Sequence, residues 1–268
     1  MTAKRVTTWT VRRQRELGEP LVMVTAYDAT FARLAESADV DIILVGDSLG
    51  HVIQGLDSTI PVTLGEMIYH CRCVTRVTQR AMVVGDLPFG SYQSSVRTGI
   101  RSAERLLKEG GVQAVKLEGG QPHVELVQKL TQMGVPVMGH LGLTPQSVHA
   151  FGGYRVQGRN EEAALTLLED ARALEVAGAF SLVLECVPAE LAKRVREAIS
   201  IPTIGIGAGP HCDGQVLVIY DLLGMNDGFQ AKFVKRYDSL GDKVASAVRA
   251  FGEEVRTRAF PTNDHSFE

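Results

Sequence analysis

The 268-residue chain has few cysteines, a single tryptophan and little net charge, and no long apolar run. Its four cysteines, Cys71, Cys73, Cys186 and Cys212, are not spaced as paired zinc ligands, and so small a number suits a reducing compartment. A formal net charge of −3 gives no electrostatic reason to expect a nucleic acid or an anionic membrane as partner. No apolar stretch approaches the roughly 20 residues that a membrane span needs. The opening segment, MTAKRVTTWTVRRQRELGEP, lacks the apolar core of a secretory signal. It has no acid before Glu16, a weak likeness to an organelle transit segment, but the first strand candidate begins at Leu21. A solvated N-terminal helix and a cytoplasmic protein are therefore expected. No composition shift, Ser/Gly-rich linker or low-complexity tract divides the chain. Residues 1–268 are expected to form one domain, with a short helical extension over about 1–20.

What the chain does have is a recurring unit, an apolar run that ends in a polar residue or a glycine. The strand candidates are Leu21–Ala26, Ile42–Val45, Met82–Gly85, Ala114–Leu117, Pro136–Gly139, Ser181–Leu184, Pro202–Ile206 and Gln215–Ile219. Short runs rich in Val, Ile and Leu, bounded by Gly and Pro, read as buried parallel strands. Helical patterns lie between them: Ala29–Ala38, Leu64–Thr78, Ser94–Glu109, His123–Met133, Glu161–Ala177 and Ala189–Ala198, with Leu240–Arg258 last. Eight βα units in a chain of this length predict an α/β fold, a (β/α)8 TIM barrel, in which chemistry sits at the C-terminal ends of the strands. Two connections on that side are long, His51–Leu64 and Gly142–Asn160, and they read as ordered binding loops.

The strand ends carry titratable residues. Asp47, Asp86 and Glu118 end strands two, three and four. Neighbouring parallel strands lie about 4.8 Å apart, so the three carboxylates should converge. Clustered anions repel unless a cation or protons relieve them, and a hard divalent ion such as Mg²⁺ is the natural relief. A single acid could instead cap a helix or pair with Lys116, and that alternative stays open for each of them. Lys116 lies two residues before Glu118 and so points to the same side of its strand, where it could hold an anionic substrate. Ser48 could donate to a bound carboxylate or cap the following helix. His140 ends strand five, and a lone histidine can equally be a satisfied core residue. Glu185 ends strand six, placed to remove a proton beside a carbonyl or to pair with an arginine such as Arg194. Gly205-x-Gly207-x-Gly209 suits either a phosphate-cradling turn or close packing. Together these residues point to metal-assisted carbon chemistry on a small 2-oxo acid.

The same residues sit in long motifs: VGDSLGHVIQGLDSTIPVT, DLPFGSY, VKLEGG, GHLGLTPQSV, FGGYRVQGR, LVLECVP and IPTIGIGAG with DGQVLV. In these the chain resembles the ketopantoate hydroxymethyltransferase family from about Val24 to its C-terminal end. The resemblance implies a (β/α)8 barrel that converts 3-methyl-2-oxobutanoate and 5,10-methylenetetrahydrofolate to 2-dehydropantoate, in pantothenate and coenzyme A synthesis. It implies Asp47, Asp86 and Glu118 around Mg²⁺, and Asp47, Ser48, Asp86, Lys116 and His140 about the oxo acid. It implies Glu185 as proton acceptor, and a homo-oligomer, in this family usually a decamer. The chain departs from the pattern at His211 and Cys212 in PHCDGQ, and at Ala231 where Pro is familiar.

A second enzymatic reading is a Mg²⁺-dependent C–C or P–C lyase or mutase of the phosphoenolpyruvate mutase and isocitrate lyase type. The cysteine motif of the isocitrate-cleaving members, of the KKCGH kind, is absent from this sequence. A non-enzymatic scaffold barrel would be expected to have lost some of the acids, and all are present.

Overall fold

The computed structural model describes residues 4–226 and 231–267. They group into two compact units, residues 1–218 and 219–268.

The first unit opens with helix α1 (Thr8–Leu17) and then alternates strands with helices. The strands are β1 (Leu21–Thr25), β2 (Ile42–Val45), β3 (Met82–Asp86), β4 (Ala114–Glu118), β5 (Val137–Gly142), β6 (Ser181–Glu185), β7 (Thr203–Ile206) and β8 (Gly214–Leu217). They pair in chain order, every pair parallel, and β8 returns to β1 to close the barrel. Between them lie α2 (Ala29–Ser37), a short α3 (Leu49–Val52), α4 (Leu64–Thr75), α5 (Val96–Arg105), α6 (Val124–Gln132), a short α7 (Val148–Phe151), α8 (Glu161–Val176) and α9 (Ala189–Ala198). The expected barrel is thus the observed one. The boundaries differ by a few residues. The strand expected at Gln215–Ile219 begins one residue earlier and ends at Leu217, and α5 passes into a π-helical turn over Leu106–Gly110.

Side chains alternate across a strand, and that period sets what the barrel encloses. Ile42, Leu44, Met82, Val84, Met138 and Val183 point inward as the apolar core of the barrel. Continuing each strand by two residues carries Asp86 above Val84, Lys116 above Ala114, His140 above Met138, and Glu185 above Val183, and two more along β4 bring Glu118. The polar residues therefore occupy the next layers toward the C-terminal mouth.

The opposite end is closed by the N-terminal segment. Val6 and the fully buried Val11 join the barrel core, and Arg15 donates to the carbonyls of Arg196 and Ile199 at 2.6 and 2.5 Å. The helix expected there is present, but it is a plug on the barrel rather than simply solvated. Val11, the buried side chain of this helix, covers the barrel's end.

The second unit contains α10 (Ile219–Leu222) and α11 (Leu240–Thr257), which ends near the expected Arg258. Val244, Val248, Phe251 and Val255 recur at helical spacing along one face of α11. Part of the segment 222–237, which shows no clear pattern, lies outside the described residues. Among the described residues no helix is long and apolar enough to cross a membrane.

Candidate active site

The register of the parallel strands makes the inward polar residues neighbours in pairs. Asp86 is paired with Lys116 across β3 and β4, and Glu118 with His140 across β4 and β5. The Lys116 ammonium lies 2.5 Å from Asp86 Oδ1, both groups buried. Burial opposes its charge, but Asp86, Glu118 and Asp47 outweigh burial and hold Lys116 above its ordinary value. The alternative of a carboxylate paired with Lys116 is therefore realised at Asp86.

Asp47 lies just beyond the end of β2, and its backbone N–H donates to Asp86 Oδ2 at 3.2 Å. Burial, then the charges of Glu118 and Asp86, push Asp47 well above the usual carboxylate range, against the pull of Lys116 and Gln146. Burial lifts Asp86 as well, opposed chiefly by Lys116. Ser48 makes no helix-capping bond with its side chain; its hydroxyl lies 2.8 Å from the Tyr27 hydroxyl instead.

His140 stands between two carboxylates. Its Nδ1 is 3.4 Å from Glu118 Oε1 and its Nε2 is 3.2 Å from Glu185 Oε2. Neither contact has hydrogen-bond angles, so these are charge contacts in a dry setting rather than formed hydrogen bonds. Burial and Lys116 push the imidazole down, but the two glutamates outweigh them and lift it to about 9. Glu185 is thus one imidazole away from the acid cluster. Arg194 pairs with Glu161 at 2.8 Å, not with Glu185.

Three residues absent from the sequence reading complete the site. Gln146, in the loop after β5, is 5% exposed and donates from Nε2 to Asp47 Oδ2 at 2.9 Å and to the Leu87 carbonyl at 3.0 Å. Its backbone N–H donates to Glu118 Oε2 at 3.0 Å. Tyr92 places its hydroxyl 2.9 Å from Gln146 Oε1 and 3.0 Å from the Glu118 carbonyl, and accepts the Glu118 N–H at 3.1 Å. Gln93 Nε2 donates to the same Gln146 oxygen at 2.9 Å. Tyr92 and Gln146 lie in the motifs DLPFGSY and GHLGLTPQSV and Gln93 follows the first, and being polar residues past strand ends was their one signal.

The two long loops meet over this end of the barrel. Tyr154 places its hydroxyl 3.2 Å from His51 Nε2, and residues including Asp57, Ser58, His149 and Tyr154 line a cavity of about 320 Å³. A second cavity, of about 290 Å³, lies at the N-terminal end beside Arg5 and Arg80, away from the acids. In the glycine-rich turn a Cβ on Gly209 would lie 2.5 Å from Ala189 Cβ, so this glycine serves close packing of α9.

Does the donor set suit the divalent ion? Among the described residues no three His, Cys, Asp or Glu side chains form a ready-made metal ligand group. Glu118 is engaged at both oxygens, by His140 and by the Gln146 N–H, and Asp86 at both of its own, by Lys116 and the Asp47 N–H. Asp47 and Asp86 are buried hard-oxygen donors whose charges repel one another and Glu118, which favours a cation between them. Mg²⁺ takes one or two carboxylates and fills its remaining positions with water or substrate oxygens. A carboxylate oxygen keeps a further lone pair beside one hydrogen bond, so Asp47 and Asp86 fit the ion as oxygen donors, with Glu118 beside them.

A parallel barrel that gathers buried acids, a lysine and a histidine at the C-terminal ends of its strands is a (β/α)8-barrel enzyme with its site in the mouth. The particular family is shown by comparison. The chain belongs to the ketopantoate hydroxymethyltransferase family, whose model matches residues 5–263. It is 57% identical over 268 residues to a 3-methyl-2-oxobutanoate hydroxymethyltransferase of Anaeromyxobacter sp. (strain Fw109-5), covering 98% of this chain and 88% of the relative. It is 55% identical over 265 residues to the enzyme so named in Magnetococcus marinus, covering 99% of each chain. Among solved structures it resembles 2,3-dimethylmalate lyase, a phosphoenolpyruvate mutase/isocitrate lyase superfamily member (TM-score 0.59, 18% identity, 97% of this chain and 91% of that one). It also resembles phosphonopyruvate hydrolase solved with oxalate and Mg²⁺ (TM-score 0.62, 12% identity, 96% and 92%). At these identities the structural likeness speaks for the fold and not for the reaction.

Proposed function

We propose that the protein transfers a hydroxymethyl group from 5,10-methylenetetrahydrofolate to 3-methyl-2-oxobutanoate, giving 2-dehydropantoate for pantothenate synthesis. The observation that carries this reading is the contrast among the inward carboxylates. The Glu185 side chain is 17% exposed, while those of Asp86 and Glu118 are 3% exposed each. A base must be reached by its substrate, and Glu185 is the acid the substrate can reach.

Asp47 and Asp86 would hold Mg²⁺, with Glu118 beside them. When bound, the ion supplies positive charge against the 2-oxo oxygen as that oxygen becomes negative. Lys116 and Ser48 bind and orient the oxo-acid carboxylate. Glu185 takes the C3 proton, and the charged His140 beside it keeps its carboxylate turned toward the mouth. C3 then bonds to the methylene carbon as one of its two C–N bonds breaks, the oxygen of one water replaces the other nitrogen, and tetrahydrofolate leaves with the proton taken from C3 and one proton from that water. The lyase and mutase reading rests on fold likeness alone. The apolar face of α11 supports self-association, the homo-oligomer expected of the family. Work in the cytoplasm is supported by the small number of cysteines.

The test is proton NMR of 3-methyl-2-oxobutanoate in D₂O with the purified protein, with Mg²⁺ or with chelator, and without folate. The C3 proton signal is expected to vanish only with metal and to persist with Glu185→Gln. Exchange by Glu185→Gln at a near-unsubstituted rate would overturn the role of Glu185.

A further inference from the structure

Gln146 ties the loops after β2, β3 and β5 into a single network, with β4 joined through its backbone. Its amide has two N–H donors and two acceptor lone pairs, and all four are used. The donors go to Asp47 Oδ2 and the Leu87 carbonyl. The lone pairs receive the Tyr92 hydroxyl and the Gln93 amide. Those partners fix which way the amide points, because a flipped amide would set its oxygen against a carboxylate and a carbonyl. The same residue's backbone N–H holds Glu118 Oε2, and the Tyr92 oxygen accepts the Glu118 backbone N–H from the other side. Asp47 and Glu118, 71 positions apart in sequence, are therefore held at one residue.

We infer that Gln146 is the positioning residue of the metal centre: it holds Asp47 by Oδ2, so that Oδ1 is the oxygen turned to the cation. This rests on the reading above that Asp47 and Asp86 hold a divalent ion. Gln146 touches neither substrate nor metal in this role and acts through Asp47. Partners that orient ligating carboxylates typically set metal affinity by 10–100-fold.

The experiment is Mn²⁺ binding to the full chain without substrate, read from the free-Mn²⁺ electron paramagnetic resonance signal, together with a thermal melt. Gln146→Met keeps the volume and removes the amide, while the backbone bond to Glu118 remains. It is expected to weaken Mn²⁺ binding about 10–100-fold. Gln146→Asn keeps an amide but is one methylene short, so it should weaken binding in the same direction and answers the question if the methionine variant does not fold. Tyr92→Phe should weaken binding less, since it frees only the far side of the amide. A packing role alone would lower the melting temperature and leave Mn²⁺ affinity within twofold, and that outcome overturns the inference. No Mn²⁺ binding by the unsubstituted protein would overturn the metal reading itself, and this inference with it.

Discussion

His140 Nε2 lies 3.2 Å from Glu185 Oε2, and the two side chains come from adjacent strands at the mouth of the barrel. The imidazole also reaches Glu118, so one cation serves the buried Glu118 on one side and the accessible Glu185 on the other. His140→Gln removes that charge at nearly constant size. Proton exchange at C3 is expected to fall about 10²-fold, the scale of a misoriented catalytic group. The Michaelis constant for the oxo acid should change little. Steady-state kinetics of the variant checks this, and a lost affinity with retained turnover would point to His140 as a binding group instead.

Gly142 makes that arrangement possible in the backbone. Its φ is +94°, and a Cβ there would lie 2.2 Å from the backbone carbonyl of Glu185, its partner in the β5–β6 register. An L-residue is strained at such an angle, and here the clash is with main chain that cannot rotate away. Gly142→Ala should displace the strand end that carries Glu185 and remove C3 exchange. Circular dichroism should still report the barrel. Exchange at the unsubstituted rate would show that the strand ends tolerate the shift.

Lys116→Met leaves Asp86 buried without its counter-charge. Breaking a buried pair from one side costs about 3–5 kcal/mol, so thermal melts in chelator should show a large loss of stability. Mg²⁺ should stabilise the variant more than the unsubstituted protein, because the ammonium no longer competes for the Asp86 oxygens. Equal melting temperatures in chelator would mean that Asp86 simply takes up a proton when Lys116 is lost.

Much of this site was legible because it follows from period and position. Strand-end acids that continue an inward apolar layer must enter the mouth, so Asp86, Lys116, Glu118, His140 and Glu185 could be named from residue order. Pairing could not. Whether Glu185 met Arg194 or His140 depends on the stagger of strands, and no pattern of residue types records it. Gln146 and Tyr92 were hidden for another reason: both sit in loops, where side-chain direction has no fixed period. The N-terminal plug was missed because a single buried valine, Val11, leaves almost no amphipathic signal in a polar helix.

The long loop after β2 ends in a reciprocal cap whose strength depends on pH. Thr63 N–H and Thr63 hydroxyl both donate to Glu66 Oε2 at 2.7 Å, Gln54 donates to Oε1 at 2.8 Å, and Glu66 N–H returns to Thr63 Oγ1 at 3.3 Å. The Thr63 backbone bond, then its hydroxyl, hold the Glu66 carboxyl below its ordinary value of 4.5. A carboxyl lowered by folding stabilises the folded state above its unfolded value, and that contribution is lost as pH falls through the folded value. Glu66 is largely solvated, so the charge part is screened. Losing a capping residue costs about 1 kcal/mol. Glu66→Gln should therefore melt below the unsubstituted protein at pH 7, and the gap should narrow as the pH drops below about 4. A gap of the same size at both pH values would mean that the ionised carboxylate contributes nothing beyond the neutral amide at this helix start.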